Sequence, residues 1–354
     1  RCGITDRIFN FAEEIVGYIP GGIAHSNVVA SIIFSGMSGA AVADAGGLGL
    51  IEMKAMKDRG YPADFSGAVT AASSTIGPII PPSIPMVVYA VAANASLGKL
   101  FIGGIIPGVI MGLALMVIIF LKAKKEDYGT IDFNLKRLLL SFKDALLPLL
   151  TPIIIVGGIL IGIFTPTEAA VIATAYALIL ALFIYKNITF KDLISIIIES
   201  METTATVTFI IAGAEAFAWL VAMEGIPRQI ANAVSSIPET WMFLIIFNIF
   251  FLILGTFMET LSIEVIMVPV LVPIYHALGL DPIHMGVVLV LNLMIGLITP
   301  PIGMALFVTS KVGKIKLENL YKEIVPFIIP LVVVLLLITY IPELVTWLPK
   351  LAGL

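Results

Sequence analysis

Gly77-Pro78-Ile79-Ile80-Pro81-Pro82-Ser83 and Gly296-Leu297-Ile298-Thr299-Pro300-Pro301-Ile302-Gly303 decide how this chain folds. Each interrupts an apolar stretch of helical length with a proline pair. Proline brings no backbone N–H and clashes with the turn before it, so a helix ends there and the preceding carbonyls lose their partners. The two segments lie 219 residues apart. The same offset, without a gap, sets Gly36 on Gly255, Gly67 on Gly286, Val69 on Val288 and Pro107 on Pro326. Apolar segments match at Leu and Val by chance, but coincident Gly and Pro positions imply an internal duplication.

Working outward, lipid is the natural solvent. Of 354 residues 59% are hydrophobic and 12% charged, with mean hydropathy +1.09, whereas a soluble domain is about one-quarter charged. No basic, aromatic-rich domain offers a nucleic-acid surface. The lone cysteine, Cys2, excludes an intrachain disulfide and a cysteine-rich metal site. Opening on Arg1 without Met or a signal peptide, the chain reads as missing something upstream.

The layout predicted is an all-α membrane protein. Residues 1–20 form an amphipathic interfacial arm, with Ile8, Phe9, Ile15 and Val16 opposing Asp6, Arg7, Glu13 and Glu14. The first repeat, 21–121, contains a re-entrant hairpin at about 22–56, a Pro-broken helix at about 63–95 and a span at 103–121. Residues 122–240 supply scaffold spans at 145–163, 167–185 and 203–222, with amphipathic connectors at 122–144 and 186–202. The second repeat, 241–354, has a hairpin at about 241–274, a broken helix at about 285–310 and a final span at 323–348. Five spans separate the two hairpins, and an odd number reverses orientation, so the repeats are inverted. Loop charges agree: Lys54, Lys57, Arg59, Lys122, Lys136, Arg137, Lys186, Lys311 and Lys322 fall on one side, taken as cytoplasmic, and the opposite loops hold Lys99 and Arg228.

Carbonyls stripped of helical partners in hydrocarbon need an occupant, and a hard cation such as sodium is the natural one. Broken-helix N-termini would favour a substrate carboxylate. Ser38 at the first hairpin tip and Ser83 after the first proline pair are placed to contact substrate. Glu259 at the second tip is an intramembrane acid, suited to substrate contact, cation binding or orienting the hairpin, and Asp44 can cap the first hairpin's second arm. His25, His276 and His284 lie near segment ends. An intramembrane serine protease using Ser38 is a competing reading, since Gly36-Met37-Ser38-Gly39 repeats a known nucleophile string, but it lacks a histidine at depth. A passive anion channel is the other.

Phe34-Ser35-Gly36-Met37-Ser38-Gly39-Ala40-Ala41-Val42-Ala43-Asp44, Ala71-Ala72-Ser73-Ser74-Thr75-Ile76-Gly77-Pro78-Ile79-Ile80-Pro81-Pro82-Ser83 and Gly296-Leu297-Ile298-Thr299-Pro300-Pro301 resemble the large membrane (M) subunit of tripartite ATP-independent periplasmic (TRAP) transporters. The resemblance extends over essentially the whole chain. Members of that family normally carry about two further spans before the amphipathic stretch. It implies a multi-pass protein of the bacterial inner membrane: an elevator-type, sodium-coupled importer of a small organic acid, of sialic acid or C4-dicarboxylate type. It further implies a small Q-type membrane subunit and a periplasmic P-type substrate-binding protein as partners. At least two sodium ions are expected, one at Ser35, Gly36, Ser38, Ser73 and Gly77, the other at Gly255, Thr256, Gly296, Thr299 and Pro300.

Overall fold

The computed structural model describes residues 4–126, 130–225 and 239–353; Cys2 and Arg228 lie outside them. Every regular element among the described residues is helical. Seven helices there are long and apolar enough to cross a membrane, so the protein is an all-α, multi-pass membrane protein.

The chain begins with α1 (Ile4–Val16), whose apolar stripe is buried at Ile8, Phe9, Ala12 and Val16. That stripe was expected to lie on lipid. Instead it packs on protein, against α2 (Gly22–Ser38) and α8 (Leu135–Leu160). The first hairpin is α2 followed by α3 (Ala41–Gly46) and α4 (Leu48–Asp58), with its tip at Gly39 and Ala40. Gly39 has φ +63°, a left-handed turn that glycine adopts without steric cost.

The first broken helix comprises α5 (Ala63–Ser74) and α6 (Ile84–Ala92); the second comprises α13 (Pro282–Gly296) and α14 (Met304–Gly313). Both proline pairs, Pro81-Pro82 and Pro300-Pro301, have cis peptide bonds. Between the breaks run α7 (Leu97–Glu126), α8, α9 (Pro166–Ile179, continued as a π-helical turn at Leu180–Ile184) and α10 (Phe190–Met223). The second hairpin is α11 (Thr240–Phe257) and α12 (Thr260–Ala277). The chain closes with α15 (Leu317–Tyr340) and α16 (Glu343–Leu351).

Three boundaries differ from those read in the sequence. The polar residues of 186–202 read as a connector, yet α10 is continuous from 190 to 223, because its polar first turns contain no proline or glycine to stop it. The amphipathic 135–144 is likewise the first part of α8. The final span ends at Tyr340, where Ile341 and Pro342 break it before α16.

The duplication is visible as reciprocal contacts. In the first broken helix α5 packs on α14 of the second, and α13 of the second packs on α6 of the first. Gly67 in α5 leaves room for Ile315, Leu320 and Thr309, and its equivalent Gly286 in α13 leaves room for the Tyr89 ring. Pro107 and Pro326 both sit inside their helices, α7 and α15, which pack together. Paired contacts of this kind are what a pseudo-two-fold axis between two copies requires.

Basic loops assigned to one side are joined in the structure. Arg59 pairs with Glu13 at 2.7 Å, Arg137 with Glu14 at 3.8 Å, and Lys122 with Glu323. Lys57 donates to the Gly313 carbonyl at 2.7 Å. Residues distant in sequence therefore share one end of the molecule.

At the opposite contact between repeats, the Tyr89 hydroxyl donates to the Pro282 carbonyl at 2.6 Å. Tyr89→Phe removes that bond and keeps the ring, so we expect a loss of about 1 kcal/mol, read as a lower thermal midpoint in detergent; an unchanged midpoint would show that the bond adds nothing.

Candidate functional site

The two breaks are built alike. After the first proline pair, the backbone N–H of Ile84 donates to the Gly39 carbonyl at the first hairpin tip (3.2 Å); after the second, Gly303 N–H donates to Thr256 at the other hairpin's tip (3.4 Å). Ile84 and Gly303 are 219 residues apart, the repeat offset. Each hairpin tip is thus fastened to the restart of its broken helix. A side-chain pair binds the same elements deeper down. Asn27 of α2 donates to Thr70 (2.7 Å) and accepts from Ser73 (2.6 Å) of α5; Asn292 of α13 donates to Asn248 Oδ1 of α11 (3.0 Å). Ser73 and Asn292 stand at equivalent positions.

The predicted residues of the first break separate by role. Ser38 donates to Asp44 Oδ1, so the tip serine and the acid of α3 form a unit. The other Asp44 oxygen, Oδ2, is buried without a partner, and it stands where a side chain on Gly77 would be. Ser35 donates to Ile32 in its own helix at 2.5 Å. Gly36 lets Pro152 of α8 close onto α2. The Ser83 hydroxyl donates to the Pro78 carbonyl and accepts from Met86 N–H at 3.1 Å, capping α6. Ser38, Asp44 and Gly77 converge, whereas the Ser73 hydroxyl is engaged by Asn27.

At the second break Gly255 and Gly296 touch backbone to backbone: a Cβ on Gly296 would stand 2.7 Å from Gly255 Cα. Thr256, in α11, donates to the Ile253 carbonyl (2.8 Å), and Thr299, just past the end of α13, donates back to the Ile295 carbonyl (2.7 Å), leaving lone pairs on both hydroxyls. Pro300 and Pro301 are held from outside by Tyr321, which donates to the Pro301 carbonyl. Only Met258 and Glu259 separate α11 from α12. Glu259 Oε2 accepts from Ser262 N–H at 3.0 Å, so it caps α12, the orienting role among those weighed from the sequence.

A cavity of about 650 Å³ opens beside the first tip. Phe34, Met37 and Pro82, neighbours of Ser38 and Ser83, form one wall, and Thr151, Thr167 and Thr174 of α8 and α9 face them. Its size is that of a small-molecule cavity, but its lining is mostly apolar and includes none of Ser38, Ser83, Asp44 or Glu259.

No motif in the sequence singles out Asn27, Thr70, Asn248 or Asn292. The offset that matches Gly77 with Gly296 also matches Ser73 with Asn292, which was the available signal.

The whole-chain comparison decides the family. Residues 1–344 match the family described as tripartite ATP-independent periplasmic transporter, DctM component. This chain belongs to the DctM family of TRAP transporter large permeases. Among relatives of this permease, the sialic acid TRAP transporter large permease protein SiaM of Vibrio cholerae serotype O1 is 47% identical, covering 99% of this chain and 82% of that one. The sialic acid TRAP transporter permease protein SiaT of Haemophilus influenzae is 45% identical over 99% of this chain and 57% of that one. The C4-dicarboxylate TRAP transporter large permease protein DctM of Pseudomonas aeruginosa is 41% identical over 99% and 83%. These are transporters and not enzymes, so the protease reading of Ser38 falls. Geometry agrees: His25 shares α2 with Ser38, and 13 intervening steps of helix place it about 20 Å away.

Proposed function

We propose that this TRAP permease imports a small organic acid across the bacterial inner membrane, driven by sodium and working by an elevator motion. The equivalent fastening of both hairpin tips to both broken helices carries this reading, because it makes two hairpins and two breaks one interlocked body. That body also meshes across repeats, α3 on α14 and α12 on α6. It meets α8 and α9 across the cavity, where sliding would carry a ligand from one side to the other.

The residues present fit sodium. A hard monovalent cation takes oxygen ligands, and Asp44 Oδ2 is an orphaned oxygen beside Gly77 and Ser38. Together with backbone oxygens near Ser35, Gly36 and Ser73 it would hold one ion. Gly255, Thr256, Gly296, Thr299 and Pro300 would hold another, the two hydroxyls offering their lone pairs. Bound sodium supplies positive charge that offsets an anionic substrate. Ser38 orients the substrate from the tip, Ser83 and the start of α6 present a helix N-terminus to its carboxylate, and Glu259 fixes the second tip. If one net positive charge moves inward per cycle, a potential of 100 mV contributes about 2.3 kcal/mol.

The relatives' names favour sialic acid as the first solute to try, with a C4-dicarboxylate as the second. A Q-type small membrane subunit and a P-type periplasmic binding protein complete the assembly. In liposomes holding all three components, uptake of sialic acid or dicarboxylate should fall to background when choline replaces sodium. Uptake unchanged in choline would refute sodium coupling; flux without saturation would favour a channel.

A further inference from the structure

The second break carries a contact that its copy lacks. Tyr321, in the second turn of α15, donates to the Pro301 carbonyl, and the Ile302 carbonyl lies 3.4 Å from the same hydroxyl. The repeat offset carries Tyr321 back to Ile102 in α7, whose side chain offers no donor. α15 starts just after Lys311, Lys314 and Lys316, so the phenol reaches the break from the basic end of the molecule.

This stretch is short of ways to hold itself. Pro300 and Pro301 have no N–H, which leaves Ile302 and Gly303 as the backbone donors between Thr299 and α14. The Gly303 N–H is already directed at the Thr256 carbonyl (3.4 Å). Gly303 has φ +59°, and a Cβ on it would stand 3.2 Å from both the Leu297 and the Thr299 carbonyl oxygens. Those two carbonyls therefore converge where α14 begins. Exposure separates the breaks as well: Pro301 is exposed and Thr299 and Pro300 are half-buried, whereas Pro78, Pro81 and Ser83 are buried. A carbonyl that water can reach loses little by turning away, so the second break needs an outside donor where the first does not.

We propose that Tyr321 is a positioning residue for a cation at the second break, an inference that rests on the sodium-driven reading of Gly255, Thr256, Gly296, Thr299 and Pro300. Tyr321 supplies no ligand itself. Its hydroxyl holds the Pro301 peptide from one side while Thr256 holds Gly303 from the other. The oxygens of Thr299 and Pro300 are then in place before the ion arrives, an ordering that binding would otherwise have to supply.

Equilibrium binding of radioactive sodium to the full purified chain in detergent tests this without any transported solute. Tyr321→Phe loses only the hydroxyl and should weaken one binding component about fivefold, leaving the component of the first break unchanged. Tyr340→Phe makes the same change elsewhere on α15, removing a donor to the Trp241 carbonyl (3.2 Å), and should bind sodium as wild type does. Para-aminophenylalanine at position 321 keeps a donor at the same reach and should restore the affinity. In liposomes with the partner subunits, saturating sodium should return Tyr321→Phe to the wild-type uptake rate and solute KM, which a general packing defect would not allow. Equal sodium binding by Tyr321→Phe and wild type overturns the proposal, and so does a loss that Tyr340→Phe matches. Wild type that binds no sodium would instead remove the cation site itself, and the proposal with it.

Discussion

Gly296→Ala is expected to cost about 2–4 kcal/mol, through overpacking and a weakened buried hydrogen bond, enough to remove most of the folded permease from a detergent extract at growth temperature. The new methyl group would stand 2.7 Å from both Cα and the carbonyl carbon of Gly255. Those are backbone atoms of α11, so no side chain can swing aside; the two helices must part. One turn earlier, Asn292 reaches Asn248 across the same interface, and parting strains that bond as well. Gly255→Ala should be milder, since its nearest neighbour is 3.3 Å away, and Gly213→Ala, with nothing within 4 Å, should be near neutral. Thermal melting of the three variants side by side checks the ranking. Equal midpoints for Gly296→Ala and Gly213→Ala would mean that the backbone contact does not govern packing here.

Ser38→Ala should leave the amount of folded protein near normal and lower solute uptake strongly. The hydroxyl is the shown partner of Asp44, a buried acid whose other oxygen has none. Hydrogen bonds to charged groups contribute about 1.5–3 kcal/mol, a ten- to hundredfold effect if the tip works only in this geometry. Because Ser38 and Asp44 act on each other, Ser38→Ala combined with Asp44→Asn should cost less than the sum of the two single changes. Initial uptake rates in liposomes, with melting midpoints as the folding control, measure this. Wild-type uptake by Ser38→Ala would remove the serine from the site.

Much of the architecture was legible because its signals are local. Hydropathy marks the spans, since each must satisfy its own backbone in lipid. Proline pairs mark the breaks because a missing N–H acts within one turn. Basic residues mark one end, now seen joined through Arg59 to Glu13 and Lys57 to Gly313. The family resemblance rested on the same Gly and Pro strings.

The site was legible in outline only. Ser38, Ser83 and Ser73 look alike as intramembrane serines, yet one binds an acid of the next helix, one caps α6, and one is held by an asparagine 46 residues away. Nothing in the spacing distinguishes them, because a hydroxyl's role depends on which polar atoms the packed chain brings within 3 Å. Tyr321 gave no signal at all, because Ile102 stands at its equivalent in the first repeat.

By itself, then, the sequence determined the solvent, the duplicated plan, the two breaks and the family, all properties carried by short stretches whose chemistry acts on their own backbone. Only the tertiary structure decided that α1 packs on protein, that α10 runs unbroken, that Glu259 caps its helix, that Tyr321 reaches the second break, and which buried oxygen of Asp44 is left without a partner. Those outcomes depend on contacts between segments far apart in the chain, and burial converts them into energy only once the helices have closed on one another.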